Sequence, residues 1–115
     1  FGNALFAKGK IEESISHYKT AVKLNPSFAI AHYYLGNTLL GIRETEEAIS
    51  HYKMAIRIKP DYAEAHNNLG IIFLQENDFN NASKHLNEYL RLVPLAPDAP
   101  AIKSILQNKS KNKIN

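Results

Sequence analysis

A chain of 115 residues holds one small domain. Its 44% hydrophobic and 22% charged residues match ordinary globular usage and exclude wholesale disorder, and its 0 cysteines exclude disulfides, a thiolate nucleophile and cysteine-based zinc sites. A formal charge of +3, spread thinly, does not point to nucleic acid, and no apolar run reaches the roughly 18–20 residues of a membrane span.

The chain is periodic. Pro26, Pro60 and Pro94 recur every 34 residues, as do Gly2, Gly36 and Gly70, and His17, His51 and His85. His32 and His66 keep the same interval, and Tyr18 and Tyr52 are followed in register by Leu86. Several residue types sharing one period define a repeat array. The register divides the chain into units 1–28, 29–62 and 63–96, with a tail over 97–115. The first unit lacks a start of about six residues, so Phe1 falls inside a helix and more chain is expected upstream.

Each unit is predicted to form two helices. In the first, Glu12 and Glu13 lie early and Lys19 and Lys23 late in the second helix, as the helix dipole favours, and Pro26 marks the exit. Ser27 stands where the next helix needs an N-cap. In the second unit, residues 29–40 have helical apolar spacing, Gly41 stops them, and Arg43-Glu44-Thr45 makes the turn. The helix that follows aligns Ala48, Ile49, Tyr52, Ala55, Ile56 and Ile58 on one stripe, with Glu46 and Glu47 at its start and Lys53, Arg57 and Lys59 toward its end. Pro60 ends it, and Asp61 is the next predicted N-cap. Small residues twelve apart (Gly2 and Ser14, Gly36 and Ala48, Gly70 and Ala82) let the two helices of each hairpin approach closely.

The third unit changes as an end would. Ala21 and Ala55 are small, as a neighbouring repeat requires, but Tyr89 holds their place. Leu95-Ala96-Pro97-Asp98-Ala99-Pro100 reads as a stiff connector. Residues 98–109 read as a capping helix with Asp98 at its N-cap, and 110–115 as a basic, solubilising tail.

The pattern Leu35-Gly36, Ala48, Tyr52, Ala55, Pro60 resembles the tetratricopeptide repeat, as does Leu69-Gly70, Phe73, Ala82, Pro94. The first unit joins through Gly2, Tyr18, Ala21 and Pro26, so the resemblance covers residues 1–96. It departs at His32 and His66, where the family often has tryptophan, and at Ser14, where alanine is usual. The resemblance implies an all-α fold: a right-handed α-solenoid of antiparallel helix hairpins whose concave groove, lined by the first helices, takes an extended peptide or a partner helix. On that face the second unit offers Ile30, Tyr33, Tyr34, Asn37 and Gly41. The third offers Glu64, Asn67, Asn68, Ile71 and Gln75, and the first offers Asn3 and Ala7. Amides can donate to and accept from a peptide backbone, and tyrosines add rigid contact area; one of Tyr33 and Tyr34 is expected to pack while the other faces the groove.

Asn3 and Asn37 also match two asparagines with which one subfamily grips the C-terminal carboxylate of chaperone tails. Its cationic partners should fall at Glu64 and Asn68, so that clamp is incomplete. Asn68 matches an asparagine that large sugar-transferase arrays use to hold a peptide main chain.

Chemistry beyond binding finds little footing. No nucleophile elbow, zinc-protease, P-loop or dinucleotide motif occurs, and no cofactor or metal is expected. Glu13 and Glu47 stand four residues before His17 and His51, as ordinary helix-face pairs. His17, His51 and His85 are expected at the surface or its boundary, and His32 and His66 between helices. The sequence therefore reads as a non-catalytic scaffold with a protein or peptide ligand, no nucleic acid and no membrane. The alternatives are self-association through an N-terminal end exposing Phe1, Leu5 and Phe6, and a regulatory arm of a larger enzyme.

Overall fold

The computed structural model describes the backbone of residues 2–114 and the side chains of residues 8–108. Six helices follow in order: α1 (Gly2–Leu24), α2 (Ala29–Gly41), α3 (Thr45–Ile58), α4 (Ala63–Gln75), α5 (Phe79–Leu92) and α6 (Ala99–Ile114). No strand occurs among the described residues. The chain forms two compact units, one ending at Pro60 and the other beginning at Asp61.

In the first unit α2 packs on α3, and α1 packs on α2. The apolar stripes of α2 and α3 bury Ala31, Leu35, Leu39, Ala48, Tyr52 and Ala55. Glycine at position 36 allows the approach: a Cβ there would lie 2.8 Å from Tyr52 Cε1, closer than a real contact permits. The close partner is thus the Tyr52 ring, four residues beyond Ala48. The hairpin turn uses no glycine at its left-handed position. Arg43 takes φ 66°, the Glu44 amide donates to the Leu39 carbonyl at 2.9 Å, and the Arg43 amide donates to that of Leu40 at 3.0 Å. These are the two bonds of a Schellman turn.

In the second unit α4 packs on α5, and α5 on α6. Ala65, Leu69, Ile72, Phe73, Ala82 and Leu86 form its core, and a Cβ at position 70 would meet Leu86 Cγ and Cδ2 at 2.5 Å. The turn repeats the first, with Asn77 at φ 61°, the Asp78 amide donating to the Phe73 carbonyl and the Asn77 amide to that of Leu74. α6 continues this core through Ala99 and Ile102.

Two local expectations are corrected. Residues 2–24 form one continuous helix instead of two, because Gly9 tolerates helical geometry and the uninterrupted backbone satisfies its hydrogen bonds without a loop. Ser27 and Asp61 stand one residue before the N-cap positions, which fall on Phe28 and Tyr62 and make no side-chain cap. Asp98 stands where it was expected, immediately before α6, and its carboxylate accepts from the Tyr89 hydroxyl at 2.9 Å, tying the connector to α5. α5, by contrast, is capped by Asp78, whose carboxylate accepts from the Asn81 amide at 3.3 Å.

Candidate functional site

The exposed face of α2 is built on a ladder of tyrosines. Tyr34 stacks on Tyr18 of α1 with centroids 5.8 Å apart, and Tyr33 meets Tyr34 edge-on at 5.5 Å. Tyr33 also lies 5.9 Å from the ring of Tyr52 on α3, whose hydroxyl donates to Asn37 Oδ1 at 2.5 Å. Three helices are thereby pinned together beneath the face. Tyr33 is half-buried and packs inward, while Tyr34 remains 43% exposed beside Ile30 at 42%. Asn37, expected to reach outward, is half-buried and committed to Tyr52, so the carboxylate clamp has even less to offer. The side chains of Asn3 and Ala7 lie outside the described residues.

The corresponding face of α4 is polar. Glu64 and Gln75 are exposed, Ile71 is 43% exposed, and Asn67 and Asn68 are half-buried. Asn67 Oδ1 is shut away from solvent without a hydrogen-bond partner. A buried acceptor left unmade costs about 1–3 kcal/mol.

The histidines pair in a way the sequence reading missed. His32 Nδ1 lies 3.1 Å from His51 Nδ1, and His66 Nδ1 lies 3.1 Å from His85 Nδ1. The signal was present: each pair is separated by nineteen residues, and the offset occurs in both repeats. The pairing buries His85, which was expected near the surface, and leaves His51 half-buried; His17 alone of that set is exposed. His32 Nε2 is 3.1 Å from the Pro26 carbonyl, which can only accept. His32 therefore carries its proton on Nε2, and His51 donates from Nδ1 to His32 Nδ1. Burial, then the neighbouring His32, hold the His51 pKa below its ordinary 6.5. Among the described residues no group of three or more His, Cys, Asp or Glu could hold a metal ion.

The profile of the family described as TPR repeat matches residues 2–41 and 44–77, and that described as tetratricopeptide repeat matches 63–94. The chain belongs to the tetratricopeptide repeat family. It has that family's all-α helical-repeat fold. Among solved structures, it is similar to the crystal structure of MamA, with 27% identity and a TM-score of 0.71 over 79% of this chain and 53% of that one. The chain thus spans about half the length of the MamA structure. It also resembles SycD, the type III secretion translocator chaperone of Yersinia enterocolitica, with a TM-score of 0.80 over 96% of this chain and 79% of that one. At 16% identity, that second likeness is one of fold. Comparison with curated proteins gives no match. No described helix of this tetratricopeptide repeat chain is long and apolar enough to cross a membrane.

Proposed function

We propose that the chain binds an extended peptide or a partner helix through the outward faces of its first helices, without catalysis of its own. On α2, in the first unit, that face offers Ile30 and Tyr34, with Tyr33 and Asn37 holding it from beneath. On α4, in the second unit, the helix's own face offers Glu64, Asn67, Asn68, Ile71 and Gln75. The observation that carries this reading is the exposure of Ile30, Tyr34 and Ile71, each above two-fifths, on helices whose other faces are closed cores. Apolar and aromatic side chains held rigidly in water offer contact area at little entropic cost to a ligand. The description of SycD as a translocator chaperone supports a ligand of the same class, another polypeptide.

The test is selection of binders from a random peptide library on the native chain, followed by titration calorimetry against Tyr34→Ser and Ile71→Ser. A loss of at least about tenfold in affinity with unchanged helicity is expected from either variant, as for a truncated interface anchor. Unaltered affinity in both would remove the assignment.

A further inference from the structure

Charge is distributed unevenly along the chain. Its 14 Lys and Arg residues outnumber its 11 Asp and Glu, yet none of the 14 lies on α2 or α4. α2 carries no charged residue, and the one charged residue within α4 is Glu64. Around α4 the bias is stronger. Between Lys59 and Lys84 the sequence holds Asp61, Glu64, Glu76 and Asp78, and no Lys or Arg.

Within the second unit, Glu64, Ile71 and Gln75 are exposed on α4, and Asn68 is half-buried. Intervals of four, three and four residues set these side chains along one stripe of the helix. The other side of α4 is closed, with Ala65, Leu69, Ile72 and Phe73 buried. Asp78 is engaged in capping α5, where its carboxylate accepts from Asn81. Glu64 and Glu76 enter no ion pair among the described residues. The Tyr89 phenol of α5 senses the same field. Burial raises its pKa, then Asp98, then Glu64, and no cation offsets them.

The stripe therefore presents one carboxylate and one isoleucine at a fixed spacing, on a helix without a cation. Seven residues of helix separate Glu64 from Ile71 by about 10 Å along the axis. A polyproline II segment advances about 3.1 Å per residue with three residues per turn, so side chains three apart stand on one side, about 9 Å from each other.

We propose that the α4 face takes a cationic polypeptide segment in extended form, with a Lys or Arg set against Glu64 and an apolar side chain three residues away set against Ile71. This rests on the reading of the first-helix faces as ligand sites and adds the charge of the ligand. An acidic segment is refused there, because Glu64 repels it and α4 has no Lys or Arg to receive it. The pair is exposed to water, so its weight lies in selection: an exposed ion pair adds little affinity, whereas a like charge in its place is penalised.

The probes are synthetic peptides of one uncharged host sequence containing X-Pro-Pro-Leu, in both orders, with Lys, Gln or Glu at X. Fluorescence anisotropy at low salt is expected to rank them Lys, Gln, Glu on the native chain. Each step should be about threefold to fivefold in affinity, narrowing as salt is raised. Glu64→Gln should remove the preference for Lys, and Glu64→Lys should reverse the order, both with unchanged helicity. Ile71→Ser should weaken all three peptides alike. Weakening by Ile71→Ser with no preference among the peptides, or with a preference that Glu64→Lys leaves in place, would overturn the proposal while keeping the face as a ligand site. Binding that responds to neither residue would remove the face itself. A Lys peptide that fails to bind at millimolar concentration would overturn the proposal as well.

Discussion

The Nδ1 atoms of His32 and His51 face each other at 3.1 Å, and the Pro26 carbonyl on His32 Nε2 decides which of them donates. The pair accepts one added proton without rearrangement, on His51 Nε2. A second would set two N–H groups head to head. Burial is the largest reason that His51 resists protonation, and the neighbouring His32 is next; Glu47 opposes both and Lys19 adds to them.

The sign of the pH dependence follows. With its folded pKa below 6.5, His51 takes up a proton more readily in the unfolded chain. Its contribution is fully present above the unfolded value, declines as pH falls through it, and levels off below the folded value. Thermal unfolding should therefore give a higher Tm at pH 7.5 than at pH 5.5. His51→Asn keeps a donor near the Nδ1 position and removes the titration, so it should flatten the slope in that window. A native chain that gains stability toward acid would contradict the assignment.

The glycines should separate into two classes. Gly36→Ala and Gly70→Ala drive a methyl into Tyr52 and Leu86 and should destabilise by about 1–3 kcal/mol, more than the helix-propensity gain of roughly 1 kcal/mol returns. Gly36→Leu should open the α2–α3 hairpin. Gly41 has nothing within 4 Å of an added Cβ and no positive φ, so Gly41→Ala should be neutral or stabilising. Urea denaturation of the three alanine variants distinguishes the classes; equal effects at all three would refute the packing account.

Asn37 is a structural residue before it is a binding one. Tyr52 is fully buried, and its hydroxyl needs the Asn37 oxygen. Asn37→Ala should cost about 1–3 kcal/mol by removing the acceptor of that buried hydroxyl, whereas Tyr52→Phe should cost only about 1 kcal/mol. If Asn37→Ala lowered peptide affinity with no change in the denaturation midpoint, its outward-facing reading would be restored.

Legibility in the sequence followed the physics of each feature. The α2–α3 and α4–α5 hairpins could be read because prolines, small residues and apolar stripes all repeat at one interval and agree with one another. α1 could not: whether Gly9 turns or continues depends on a balance of local hydrogen bonding and coverage that residue types do not fix. Position alone placed Asn37 on the outer face, but the length of the Tyr52 side chain brings its hydroxyl there from the far helix. Caps at Ser27 and Asp61 fell one residue off, since Phe28 and Tyr62 are the last non-helical residues before α2 and α4. Ile30, Tyr34, Glu64, Ile71 and Gln75 are each exposed on their own helix.

The most direct measurement is amide chemical-shift mapping of the native chain with a library-selected peptide. Binding through the first-helix faces should concentrate the perturbations at Ile30, Tyr34, Ile71 and Gln75, leaving exposed Met54 on α3 unmoved. Perturbations centred on α3 and α5, with those four residues silent, would contradict the account.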